Sequence, residues 1–313
     1  MNSTFEAAAA AAPSGEPSPA HAATGRTLLM LVRREFWENR YLWCAPLAVA
    51  VLIALSPLLG HGELHLPPFA NADSRVALST LVQWALLIPL SLVMVICVGY
   101  YLLDCLYTER RDRSILFWKS LPVSDRLTVG SKVLVALVVV PLGVCALGVL
   151  AHVVFSALID ARLALRGVPA MLGFNLLEWF RTELALLLMM LLAMLWYAPL
   201  SAYLLLISAW ARRSPFLWAA LPLAVAPLLE RIVFGSHYLW SFLKYRQNGI
   251  WQTLMRGGHS QLISHNQVRP MGLLLNELNF REAFTDVDLW LGVAVAVALV
   301  LLAVRVRRYR DDS

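Results

Sequence analysis

Several short stretches carry residue types that could do chemistry. In HGELH (61–65), His61 and His65 have the side chains of a metal site. Gly62 and the following Pro67–Pro68 favour a loop over a helix face, and no third ligand stands nearby, so no metal is expected. VGSK (129–132) ends like a phosphate-binding loop. It lacks the upstream glycine of GxxxxGK[ST], and Lys132 sits at the mouth of an apolar run, so the chain is not expected to hydrolyse ATP itself. Glu277 and Arg281, in NELNFREAF, have the types of a membrane-embedded hydrolase, but they lie in a polar segment rather than at depth. No GxSxG or HExxH motif is present. Glu230–Arg231 closes an apolar run, which reads either as an outer gate or as an interfacial ion pair. His152 and Gln83 lie inside apolar runs and read as helix-packing residues.

These residues are set among elements that are overwhelmingly apolar. Of 313 residues, 59% are hydrophobic and 15% charged, with a mean hydropathy of +0.66. Soluble domains are about a quarter charged. The net charge of +6 is spread beside apolar runs rather than gathered on one face, which argues against nucleic acid. Cys44, Cys97, Cys105 and Cys145 have neither CxxC nor zinc-finger spacing and are expected as free thiols. Residues 1–25, rich in Ala, Pro and Ser, read as a disordered tail and not as a signal peptide.

A spanning helix needs about 20 mostly apolar residues. Six runs qualify or nearly do: 42–59, 76–103, 133–159, 184–211, 214–229 and 289–304. The first four contain no acidic or basic residue within these bounds. Lys and Arg are concentrated before the first run, in 104–132, at Arg212–Arg213 and in the tail after 304. This places both termini and the 104–132 loop in the cytoplasm. The segment 230–286 then lies outside. Within it, Ile232–Leu243 is apolar but too short to span, and reads as a re-entrant or interfacial piece. In 26–41, Leu28, Leu29, Val32 and Phe36 share one helical face, while Arg26, Arg33, Arg34 and Glu38 lie elsewhere. That pattern suits a helix lying in the membrane interface. The fold class expected is an all-α integral membrane protein with six spans.

The stretch ERRDRSILFWKSLPVSD (109–125) poses a problem of burial. Ile115, Leu116, Phe117 and Trp118 are consecutive, so a short helix there would present them nearly all the way round. Covering them is worth about 1.5–3 kcal/mol each. A partner's socket, the chain's own bundle and the lipid interface are all possible covers. Pro122 would end such a helix, and Ser124 or Asp125 would cap the next.

With DRLTVGSK and the run that follows, this stretch resembles the permease subunits of the type-2 ATP-binding cassette (ABC) exporter family. An amphipathic N-terminal helix, six spans and a Pro-bearing fifth run accompany it. The resemblance extends over nearly the whole chain after residue 25. It implies that 26–41 is an elbow helix and that 115–121 is a coupling helix docked into a separate ATPase subunit. On this reading Ile115, Leu116, Phe117 and Trp118 form the apolar plug, and Glu109, Arg113 and Lys119 add polar contacts around it. ATP and Mg would be bound by that partner, with no cofactor in this chain. A second permease, identical or related, membrane lipids and an inner-membrane location are further implications. A secondary transporter or channel acting without an ATPase is the alternative. The absence of charge in the first four runs argues against it. A membrane-embedded hydrolase is the weaker one.

Overall fold

The computed structural model describes residues 19–59, 72–112, 123–165, 167, 176–254 and 278–309; for 19–24, 72–81 and 178 it describes the backbone alone. Every regular element among them is helical: α1 (Pro19–Glu38), α2 (Tyr41–Leu59), α3 (Ala72–Arg111), α4 (Asp125–Leu134), α5 (Val140–Leu165), α6 (Leu176–Trp210), α7 (Pro215–Phe234), α8 (Tyr238–Leu254), α9 (Phe280–Thr285) and α10 (Val287–Tyr309). Six units are long and apolar enough to cross a membrane: α2, α3, α4 joined to α5, α6, α7 and α10.

Local chemistry sets the ends and bends. The Ser124 hydroxyl accepts from Leu127 N at 3.3 Å and caps α4. Between α4 and α5 the helix widens into a π turn over Val135–Val139, where Val140 N–H reaches back to Val135 O. Pro141 follows at once and has no N–H to donate, so the bonding register shifts in front of it. α7 ends at Gly235, which takes the left-handed conformation (φ 64°) that glycine tolerates, and its N–H returns to Arg231 O. That stop divides the stretch expected as one piece over Ile232–Leu243. Its first residues finish α7 and its last begin α8.

The observed helices overrun the apolar runs. The third spanning unit begins at Asp125 and so contains Lys132. The fourth begins at Leu176 and contains Glu183. The third and fourth spanning units thus carry charges just beyond the uncharged runs: a search for uncharged runs stops at the residues that matter here. Of the loop expected over 104–132, residues 104–111 belong to α3 and 125–132 to α4. α1 starts at Pro19, ahead of Arg26.

α2, α3, α5, α6 and α10 form the bundle, with α6 against α10 as its most extensive contact. Leu42, Leu90, Tyr101, Val140 and Leu205 are fully covered within its main core. Ala219 is the one buried residue of α7, which leaves an apolar, Pro-bearing helix at the edge. At one end α8 and α9 pack over α6 and α10 around Leu192, Trp196, Ile250, Leu254, Ala283 and Leu289. The four cysteines are unpaired.

Close approach of α2 and α5 depends on Gly143. A Cβ there would meet Cζ3 of Trp43 at 2.8 Å, and that ring is held by stacking on Phe36 at 3.7 Å. Gly143→Ala is therefore expected to destabilise by about 1–3 kcal/mol. Gly99→Ala, whose Cβ meets nothing within 4 Å, should be neutral or stabilise by up to about 1 kcal/mol. Thermal unfolding in detergent distinguishes them; equal midpoints for the two variants would contradict this packing.

Candidate functional site

The amphipathic pattern of α1 hides one acidic residue on its covered side. Leu31 and Glu35 are buried among its described side chains, with Val32 and Phe36 half-buried beside them. Glu35 is 1% exposed, which a carboxylate tolerates only when paired and hydrogen-bonded. Its Oε1 accepts from Lys132 Nζ at 2.8 Å. Its Oε2 accepts from Tyr101 Oη at 2.8 Å and Asn39 Nδ2 at 3.3 Å.

From there an alternating chain of charges runs through the bundle. Lys132 Nζ also lies 3.0 Å from Glu109 Oε1, and Glu109 Oε2 lies 2.7 Å from a guanidinium nitrogen of Arg307. Arg307 Nε donates to Asp125 Oδ1 at 3.1 Å. Arg34 reaches Glu109 at 3.5 Å and Glu38 at 2.7 Å. The series Glu35, Lys132, Glu109, Arg307, Asp125 thus joins α1, α4, α3 and α10. Lys132, Glu109 and Arg307 are all buried.

This cluster stands at the roots of the segment between the second and third spans. Glu109 is two residues from the end of α3, and Asp125 is the first residue of α4. Next to it a groove lined by Asp125, Arg126, Thr128, Arg307 and Arg308 opens to the surface. A second clamp holds the same end. The Ser208 hydroxyl accepts from Leu106 N and Tyr107 N, both at 3.1 Å. Arg110 donates to Ser208 O and Ala211 O at 2.7 and 2.8 Å, capping the C-terminus of α6.

The expected site residues divide accordingly. Arg113, Ile115, Leu116, Phe117, Trp118 and Lys119 lie outside the described residues. Glu109, expected on the rim of the plug, lies inside the bundle with its carboxylate facing Lys132 and Arg307. Glu230 makes no pair with its neighbour. Its carboxylate accepts from Ser236 Oγ, Tyr238 N and Leu239 N at 2.6–2.8 Å and caps α8, while Arg231 is exposed. His61, His65 and Glu277 also lie outside the described residues, and Arg281 is exposed on α9. Among the described residues no group of three or more metal-ligating side chains occurs.

Sequence reasoning did not reach Glu35, Lys132 or Arg307 as site residues. A signal was present in one case: Glu35 stands four residues from Leu31 on the apolar face of α1. At the other end of the bundle it did not reach Arg246. That guanidinium lies 4.4 Å over the Trp196 ring and donates to Trp196 O at 2.7 Å and to Asp288 O at 3.3 Å. Burial pulls it below the usual guanidinium value. Trp196 Nε1 returns a bond to Arg246 O at 2.7 Å.

No family model, curated protein or solved structure matches the chain.

Removing one member of a buried ion pair leaves its partner uncompensated, at a cost of about 3–5 kcal/mol. Lys132→Met, which leaves Glu35 and Glu109 facing one another, should lower the unfolding midpoint strongly. Lys132→Met/Glu35→Met should recover part of that loss. A double variant no more stable than the single one would show that the two charges are not coupled.

Proposed function

We propose that this chain is the transmembrane permease subunit of an ABC exporter, working with a separate ATPase subunit. The observation that carries the reading is the charge chain from Glu35 to Asp125. It fastens an amphipathic N-terminal helix to both helices that bracket residues 112–124. A push on that short segment has a stiff path into the spans. Its roots are α3 and α4, each locked to α1 and α10 by buried charges, and α3 is locked to α6 through Ser208 and Arg110. Such a device suits a chain that receives motion from a partner and has no phosphate loop of its own.

On this reading α1 is the elbow helix in the interface and 115–121 is the coupling helix. Ile115, Leu116, Phe117 and Trp118 fill the socket of the ATPase, while Arg113 and Lys119 supply rim contacts. Glu109 holds the root in place. Both termini face the cytoplasm across the inner membrane, as the arginines within α1 and at the end of α10 favour. Closure of the ATPase dimer on ATP and Mg moves the coupling segment, and the rigid root passes that movement to α3 and α4–α5. The exposed apolar face of α7 supports a second permease as neighbour, with the route between the two. α8 and α9 form the outer cover, and Glu230 is the hinge-side cap of α8 rather than a charged gate.

A secondary transporter is the second reading. One observation favours it: Glu183 and His152 lie within the spanning helices, where ionisable groups usually serve transport. The charged residues of the cluster, by contrast, lie at one end, and each has an opposite charge beside it.

The test is the Phe117→Asp/Trp118→Asp variant of the tagged full-length chain, purified in mild detergent from its native membrane. The wild type is expected to retain an ATP-binding cassette subunit and hydrolyse ATP. The variant, still eluting as a single sharp peak, is expected to lose both. Retention of the ATPase by the variant would remove the coupling role from 115–118. Purification of an active transporter without any ATPase would favour the second reading.

A further inference from the structure

Away from the charged end, α3, α5 and α6 enclose a half-open cavity of about 330 Å³. That volume lies within the range of small-molecule sites, about 300–1,000 Å³. Its walls are almost wholly apolar, with Leu87 and Leu187 among them, and three polar side chains converge on it: Gln83, His152 and Glu183. Gln83 and His152 are 3% and 2% exposed. The exposed rim residues Ala146, Phe180 and Leu184 belong to spanning helices, so the opening faces the bilayer rather than water.

The hydrogen bonds fix what these groups have to offer. Trp179 Nε1 lies 3.0 Å from His152 Nδ1. An indole nitrogen only donates, so Nδ1 carries the lone pair and the proton of the neutral ring is on Nε2. That Nε2–H is buried and has no partner among the described residues. A buried donor left unpaired costs about 1–3 kcal/mol, so the site is built for an acceptor it does not itself contain. Glu183 has the opposite need. Its Oε1 accepts from Gln83 Nε2 at 3.3 Å and lies 3.8 Å from His152 Nδ1. That second approach sets lone pair against lone pair and is no ion pair, because Nδ1 is occupied by Trp179. Among the described residues no Lys or Arg lines the cavity. One carboxylate therefore lacks a cation, and one donor beside it lacks an acceptor.

We propose that the cavity binds an amphiphile whose head carries an ammonium group next to an oxygen acceptor, a long-chain amino alcohol being the simplest case. The ammonium pairs with Glu183, the oxygen accepts from His152 Nε2–H, and the apolar chain lies along Leu87 and Leu187. A fatty acid would set a second carboxylate against Glu183. A fatty alcohol would satisfy His152 and leave Glu183 without its cation. The site belongs to the single chain and does not rest on the ATPase reading.

The experiment uses the full-length chain in phosphatidylcholine nanodiscs and three probes with the same diazirine-bearing dodecyl tail: an N-alkyl ethanolamine, an alcohol and a carboxylic acid. Photolabelled sites are mapped by peptide mass spectrometry. The ethanolamine probe should label α5 and α6 around the cavity, and excess unlabelled N-dodecylethanolamine should compete it away. The acid should label these positions about tenfold less, as expected when a charge-assisted bond is replaced by repulsion. Glu183→Gln should reduce the competed labelling by a similar factor. Ala146→Trp, which blocks the mouth and keeps the carboxylate, should reduce it as well. Equal labelling by the three probes would overturn the proposal. So would labelling that excess ligand does not compete away, or labelling unchanged in either variant.

Discussion

Lys132 stands between Glu35 and Glu109, 2.8 and 3.0 Å from the two carboxylates and 2% exposed. The architecture at this end follows from that contact. A lysine so placed needs a carboxylate beside it, and a buried carboxylate needs a cation or a hydrogen-bond donor. Each also reaches one step further: Glu35 to Tyr101 and Asn39, Glu109 to Arg307, Arg307 to Asp125. Four helices that share an apolar core through Val32, Leu106, Val129 and Ala303 are further registered by buried opposite charges. Replacing such a network by apolar side chains often leaves stability unchanged. What it supplies here is a fixed geometry at the base of the segment between the second and third spans, which a mechanical connection needs.

The other end is held by different means. Arg246 threads between α6 and α10, and Gly292 leaves it room: a Cβ there would collide with its guanidinium. Its acceptor, Trp196 O, lies beside the carbonyl that Pro199 deprives of a helical donor. Gly249 admits the Trp196 ring with similar closeness, 2.7 Å to an added Cβ. Tyr245 Oη and Asp288 close the arrangement at 2.6 Å. This end is a single arginine with an aromatic lid, while the charged end is a network. The cavity with Gln83, His152 and Glu183 lies apart from both, with needs that the protein does not meet by itself.

Long apolar runs made the all-helical, six-span organisation legible in the sequence, because a bilayer demands length and apolarity that no other element shows. The helix ends were not legible. Bounding a span by its lack of charge places its end at the first charge, and Lys132 and Glu183 each stand one residue outside the bounds so drawn. Glu35 was open to reading as an acid on the apolar face of an amphipathic helix, but its partner lies 97 residues away. The pairing of Arg246 with Trp196 spans 50 residues and has no local pattern. Glu230 was legible as a notable charge, but its bonds to the start of α8 were not. Its purpose depends on the break at Gly235, which lets the chain turn back onto it.

The central claim is that buried charge, rather than apolar contact, fastens α1 to the spans. Amide hydrogen exchange of the full-length chain in nanodiscs, comparing wild type with Glu35→Met, tests it directly. That substitution keeps side-chain bulk and leaves Lys132 paired with Glu109. The account predicts that protection falls across α1, over residues 26–38, while α6 and α8 keep theirs around Trp196 and Ile250. Unchanged protection in α1 would contradict it, because the helix would then be held by its apolar face alone.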